Sequence, residues 1–377
     1  MHTLKIGDVT ITSIIERDGP WRRPEDMFPA YDPEVGRRYL AELDPVVFDP
    51  ASGRMVITYQ TFIVRTPKHV MLVDTCTGED KGHPAPMDFP KAPWLWGLRA
   101  AGLRFEDIDY VFCTHLHIDH CGWNTVLREG RWVPTFPRAK YVFHKKEYAA
   151  WEAATKRGDN PPGNVWTDNC RPIVEAGQAL LVDDDYTLDD TVWLTPTPGH
   201  APCHCCVNIK SGGQRAVVTG DLMHHALQCR EPGWYTIFDW DAQQGVESRR
   251  KFLKEVAGTG TYILPIHFPH PTTGLVEPDG ERFRYRFVRW RVSANTRSLV
   301  SLRAPRVNRD RARRPVPRSR VGQFTSFRAE DIVEQKPPST VVICAAVGAT
   351  SETPTPLRKV ASDAAYDDCS VFGVSPE

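Results

Sequence analysis

Residues 114–124 read THLHIDHCGWN, which sets His115, His117, Asp119 and His120 close together directly after the apolar run DYVFC of residues 109–113. His115 and His117 lie two apart at the end of an expected strand, so both side chains leave on the same side before the chain turns to present Asp119 and His120. A helical metal pair would stand four apart, as in H-E-x-x-H, so this spacing suits a metal held at a strand end. Neutral imidazoles with a carboxylate form a ligand set for zinc or a similar divalent ion. A lone histidine in a surface turn would carry no such meaning; several converging after a buried strand do.

Further strand ends bring the same residue types. TPTPGHAPCH places His200 in a Gly/Pro turn, AVVTGD ends in Asp221, and YILPIHF carries His267. This set and order resemble the metallo-β-lactamase-fold hydrolases, whose pattern runs H-x-H-x-D-H, a histidine in PGH, an aspartate in GD and a last histidine. The resemblance covers about residues 1–288. It implies a mixed α/β fold, a four-layer αββα sandwich with the metals at one edge of two sheets. It also implies two divalent ions, zinc or else iron or manganese. His115, His117 and His200 would hold one, Asp119, His120 and His267 the other, and Asp221 would bridge them. Asp119, Asp221 and a bridging hydroxide would then neutralise most of the metals' charge and leave a positive remainder to stabilise an oxyanion. Because metal binding lowers the pKa of water from about 15.7 to about 7, no serine or cysteine nucleophile is needed. Asp221 would also help move a proton after attack.

Within that superfamily, GDLMHHALQ and its aromatic surroundings resemble the branch of lactonases, carboxylesterases and organophosphate hydrolases. In quorum-quenching lactonases a tyrosine closely follows the bridging aspartate and assists the substrate carbonyl; here Leu222, Met223 and His224 follow, and the nearest downstream tyrosine is Tyr235. Trp123, Trp234, Tyr235, His224 and Phe268, with the aromatics of 79–97, are expected to line an apolar pocket that suits small to medium uncharged esters or lactones. A glyoxalase II-like thioesterase would share the metals but need a basic patch for its anionic substrate. A phosphotriester hydrolase would share metals and pocket alike. A nuclease would need an accessory nucleic-acid domain, and a metal-binding non-enzyme would not be expected to keep every ligand.

Asp74 ends the strand of HVMLVDT, where its carboxylate either accepts an imidazole N–H from behind a ligand or caps a turn. His204, His224, His225 and His270 lie near the ligands in sequence, but the family pattern does not use them as ligands. Cys121, Cys203, Cys205 and Cys206 are expected to be buried, inert thiols. Cys203 stands where the family's PGHTPGH has a glycine.

The rest of the chain bounds these readings. Its 377 residues are 41% hydrophobic, enough for a large core, and its net formal charge of zero points to neither nucleic acid nor an anionic membrane. No segment reads as a signal peptide or a membrane span, and scattered cysteines favour reduced thiols and a cytoplasmic location. The expected partner is a small-molecule ester or lactone, with no membrane and no nucleic acid, and a homodimer is compatible with the sequence. Strands are expected at 54–66, 69–75, 107–115, 191–197, 203–210, 215–221 and 261–268, with helices at 145–158 and 246–258. The Gly/Pro-rich stretch 78–97, with Phe89, Trp94 and Trp96, reads as a surface excursion. After Val288 the texture changes: between Arg282 and Arg320 there are many arginines, no lysine and one acidic residue, Asp310. The division is therefore a catalytic domain over 1–290 and an Arg/Pro/Ser-rich, mostly disordered extension over 291–377, with one strand-like stretch at 339–348 and a texture also compatible with read-through or frameshifted coding sequence.

Overall fold

The computed structural model describes residues 3–83, 87–158 and 164–288. The extension expected over 291–377, with its strand at 339–348, lies outside these residues. A first sheet begins with β1 (Thr3–Ile6), β2 (Val9–Arg22), β3 (Phe48–Asp49), β4 (Arg54–Arg65), β5 (Val70–Val73) and β6 (Tyr110–Phe112). A separate hairpin of β7 (Thr125–Arg128) and β8 (Arg131–Pro134) precedes its last strands, β9 (Lys140–His144) and β10 (Ala179–Val182). The order is β1-β2-β4-β5-β6-β9-β10, with β3 paired to β4. Pairing is antiparallel as far as β5 and parallel beyond it. The second sheet runs in chain order through β11 (Val192–Pro196), β12 (Cys205–Ser211), β13 (Gln214–Val218), β14 (Tyr262–Leu264), β15 (Gly274–Asp279) and β16 (Arg282–Phe287), and its only parallel pair is β13 with β14.

The period-2 alternation of these strands sets the layers. Phe62 and Val64 of β4 face inward with Met71, Val73, Phe112 and Val142, and meet Val207, Ile209, Ala216, Val218 and Leu264 of the other sheet. Ile63, between them in sequence, points to the opposite side. Helices cover both outer faces: α1 (Pro24–Met27), α2 (Pro33–Glu42), α3 (Ala92–Ala100), α4 (Lys145–Arg157), α5 (Arg171–Glu175), α6 (Leu227–Arg230) and α7 (Ala242–Val256). Trp94, Leu98, Tyr148, Trp151 and Ile173 pack on the first sheet's Ile63, Leu72, Val111, Tyr141 and Phe143. Met27, Tyr39, Leu227, Phe252 and Leu253 pack on the second sheet's Val217, Ile263, Val276 and Phe283. The layers are therefore αββα.

Helix α4 buries Tyr148, Trp151 and Ala154 and ends at Gly158, whose φ of 86° supplies the left-handed cap that its sequence suggests. Helix α7 starts four residues earlier than its apolar pattern indicates, because the Asp241 carboxylate accepts the Gln244 N–H and caps the first turn. The stretch 78–97 needs correction. Its end belongs to α3, with Pro93 in the opening turn where a proline costs no hydrogen bond, and Trp94 and Leu98 on one buried face. Trp96 is the aromatic left outside, 64% exposed.

Candidate metal centre

The potential ligands collect at one edge because the strands that carry them run in register. β5 and β6 are parallel and deliver Asp74 and the 115–120 loop side by side; β13 and β14 are parallel and do the same for Asp221 and His267. The two loops of the first sheet are joined by backbone hydrogen bonds: Thr75 N–H to the His120 carbonyl at 2.6 Å, Gly122 N–H to Cys76 at 2.8 Å and Trp123 N–H to Thr75 at 2.9 Å. That contact explains the glycine in HCGWN. A Cβ on Gly122 would stand 2.0 Å from the Thr77 carbonyl carbon, so only glycine admits the approach.

The Asp221 carboxylate is the hub. Its oxygens lie 3.1 Å from His224 Nε2, 3.1 Å from His267 Nε2, 3.2 Å from His120 Nε2, 3.2 Å from His200 Nε2 and 3.8 Å from His115 Nε2. Asp119 reaches the same region, 3.6 Å from His120 Nε2 and 3.5 Å from His267 Nε2. His117 Nδ1 stands 3.1 Å from His200 Nε2. Two groups of donor atoms result, each drawn together within 4.8 Å: His115, His117, His200 and Asp221, and Asp119, His120 and His267. A further combination of Asp221, His224 and His267 is equally tight. His115 Nε2, His120 Nε2 and Asp221 Oδ1 are buried with no hydrogen-bond partner. Orphaned lone pairs on borderline donors, aimed into a shared buried space, are what divalent ions would satisfy, so the residues fit such ions.

Carboxylates and carbonyls behind the histidines set their orientation. Asp74 stands behind His120: its Oδ2 lies 2.8 Å from His120 Nδ1, and its oxygens accept the Thr114 backbone N–H at 2.7 Å and the Thr114 hydroxyl at 2.8 Å, which ties it to the neighbouring strand end. Asp239 Oδ1 lies 2.8 Å from His200 Nδ1, and the Thr58 carbonyl 2.9 Å from His267 Nδ1. Each contact points the other ring nitrogen forward. Burial, then neighbouring imidazoles, push His115 and His117 well below the usual histidine range. Burial alone would raise Asp221, but the surrounding His120, His267 and His224 outweigh it and hold the carboxyl well down. Burial likewise works against a charged His200, and its hydrogen bonds to Asp221 and Asp239 override that, lifting it to about 9.

The side chains expected to line the pocket have different fates. His224 stands among the donors, its ring parallel to His267 at 5.3 Å. Trp123 is fully buried, stacked on Trp94 at 4.8 Å with its indole N–H donated to Glu16 at 2.8 Å, and Phe268 packs into the core against Tyr285. Both lie in the core clusters because they face the helices. Trp234 packs on Phe28 and Tyr31, and Tyr235 is half-buried beside it. Other aromatics lie beside the donors: Tyr59, 5.5 Å from His267, with Phe89 and Trp21 around it; Phe238, 6.2 Å from His224; and Trp151, 5.6 Å from His117, with Trp240 beyond. His204 supports the centre by accepting the Asp221 backbone N–H at 3.0 Å, and His225 lies 2.9 Å from the Val47 carbonyl.

Residues 56–267, more than half of the 377-residue chain, match the family described as the metallo-beta-lactamase superfamily. The chain belongs to that superfamily. An N-acyl homoserine lactonase AttM of Azorhizobium caulinodans is 32% identical over 111 residues, 28% of this chain and 38% of the relative. An N-acyl homoserine lactonase of Bacillus cereus is 29% identical over 107 residues, 28% of this chain and 35% of the relative. The matched stretch thus spans little more than a third of these relatives. Among solved structures, the hydrolase AbOPH superposes with a TM-score of 0.65 at 22% identity, covering 77% of this chain and 97% of that one. AidC, a dizinc quorum-quenching lactonase, gives 0.63 at 21%, with the same coverage. At such identities the superpositions establish the metallo-beta-lactamase fold alone.

Proposed function

We propose that the protein is a metal-dependent hydrolase of uncharged carboxylic esters or lactones, with His115, His117 and His200 on one ion, Asp119, His120 and His267 on a second, and Asp221 shared. The observation that carries this is the Asp221 carboxylate, buried and within 3.8 Å of imidazole nitrogens from both donor groups. Divalent ions bound there, most suitably zinc, would supply an activated water and a Lewis acid for the acyl oxygen. The chain's own residues do the rest. Asp74, Asp239 and the Thr58 carbonyl hold His120, His200 and His267 in one orientation. Asp221 would also help move a proton once the attack is complete. The similarity to lactonases supports the substrate class, as do the aromatic rings beside the donors, Tyr59 near His267 and Phe238 near His224. Such rings favour burial of alkyl chains, while Lys91 over Phe89 and Arg22 over Phe238 set cations against them. The free thiols of the described cysteines suit a reducing, cytoplasmic setting.

His224, three residues after Asp221 and with its Nε2 3.1 Å from that carboxylate, would meet the acyl group of a substrate bound there. Its Nδ1 is buried without a partner, and burial holds the ring down to about 4, so it stays neutral at neutral pH. His224→Gln should lower kcat about a hundredfold while the bound metal stays constant. Loss of an ion together with activity would make His224 a ligand instead.

The substrate class is tested by kcat/KM across p-nitrophenyl esters, γ- and δ-lactones, an acyl-homoserine lactone, a glutathione thioester and a dialkyl aryl phosphate. The highest value is expected among the uncharged esters and lactones. A clear preference for the thioester or the phosphate overturns the assignment.

A further inference from the structure

Outside the centre just described, a second group of metal-type donors converges. His144 ends β9, Cys203 lies in the loop before β12, and Cys205 opens β12. Their ligand atoms lie within 4.8 Å of one another, and all three residues are buried. They come from both sheets. A fourth donor is at hand in the loop after β10: Asp184 Oδ1 stands 2.9 Å from His144 Nε2. We propose that His144, Cys203 and Cys205, completed by Asp184, form a site for a single thiophilic divalent ion of the zinc class, distinct from the histidine and aspartate centre.

Two thiolates, an imidazole and a carboxylate are each ligands that zinc takes, and together they fill a four-coordinate site. The imidazole is already turned toward it. His144 Nδ1 accepts the Lys146 backbone N–H at 3.2 Å, so the ring proton sits on Nε2, facing Asp184. An ion at Nε2 moves that proton to Nδ1, so the hydrogen bond to Asp184 is exchanged for shared coordination of the ion, and the longer contact from the Lys146 N–H, which lies in the exposed first turn of α4 and turns to water, is given up. Lys146 Nζ, 2.9 and 2.8 Å from the two Asp184 oxygens, remains to balance the anionic ligands. Binding releases the thiol protons to solvent and changes no oxidation state.

Cys203 differs from ordinary core cysteines, whereas its partner Cys205 is pushed up by their hydrogen bond and by burial. Burial pushes Cys76 and Cys113 well up, as befits inert sulfur. Cys203 is instead pulled down to about 5, first by its hydrogen bond from Cys205 and then, against burial, by His144. Cys203 also replaces the glycine of the family's PGHTPGH, so this sulfur belongs to this chain. The Glu147 carboxylate joins the site to the other centre, accepting the Cys203 N–H at 2.8 Å and the Leu116 N–H at 3.1 Å. Filling the thiol site would therefore stiffen the loops that carry His115 and His200.

Cobalt(II) reconstitution of the full chain tests this, because the histidine and aspartate centre contains no sulfur ligand. The loaded protein should show thiolate-to-cobalt charge-transfer absorption, and Cys203→Ser and Cys205→Ser should each abolish it while leaving the cobalt bands of the nitrogen and oxygen centre. Asp184→Asn should weaken cobalt binding to the thiol site about tenfold. Its carboxylate is 54% exposed, so that variant is expected to fold. A fully loaded wild-type protein without the charge-transfer band, or a band that survives in Cys203→Ser, overturns the proposal. If the serine variants fail to fold, the wild-type band with unchanged affinity in Asp184→Asn also counts against it.

Discussion

Asp221→Asn should reduce turnover of the best ester or lactone by more than about a hundredfold and release metal at the same time. Losing a residue behind a metal ligand already costs about 10–100-fold, and Asp221 is proposed as a ligand shared by both donor groups. The substitution keeps the shape but removes the negative charge that faces His120, His200, His224 and His267 at 3.1–3.2 Å. It also turns an amide N–H toward imidazole lone pairs or toward cations. The fold should survive, because Asp221 sits at a sheet edge and its backbone N–H is held by His204 Nε2 at 3.0 Å whatever the side chain. Metal analysis after dialysis, with kcat/KM and a circular dichroism spectrum on the same sample, checks this. Retained activity with full metal content would remove Asp221 from its shared role.

The largest stability effect is expected at Trp94. Its ring is fully buried, stacked on Trp123 at 4.8 Å, and its indole N–H donates to Thr61 Oγ1 at 2.8 Å. Trp94→Ala therefore opens a cavity under α3 and removes one of the two partners of the Thr61 hydroxyl, which keeps Cys76 Sγ at 3.4 Å, at a cost of about 3–5 kcal/mol. That is a large share of the roughly 5–15 kcal/mol that holds a native protein together. Trp94→Phe should cost less, since most of the volume remains. Urea unfolding followed by circular dichroism reads both, and a Trp94→Ala loss below about 1 kcal/mol would show that α3 packs loosely on the sheet.

The layers and the donor set are legible in the sequence for a shared reason: both rest on local pattern. Alternation in 54–66 separates Phe62 and Val64 from Ile63, and each proposed ligand follows a short apolar strand. The partners behind the ligands have no such signal. Asp239 lies in the turn after Trp234, and only the path of the chain brings it to His200, 39 residues away. Glu147 reads as one charge on an amphipathic helix, yet it is buried and receives N–H groups from two loops and from Trp151. Aromatic residues mislead in the opposite way. Trp123 and Phe268 lie next to ligands in sequence but turn into the core, while Tyr59, distant in sequence, stands beside His267. Composition tells how much apolar area a residue brings and not which way it faces. In 78–97, the glycines and prolines of the first half hide the helix start of the second, where Pro93 acts as an initiator.

The most direct test of the whole account is turnover measured while a chelator-stripped chain is titrated with zinc. The stripped protein should be inactive, the first equivalents should restore little, and full turnover should appear only when both ions of the histidine and aspartate centre are in place. Full turnover in a chain that carries one ion or none would contradict it.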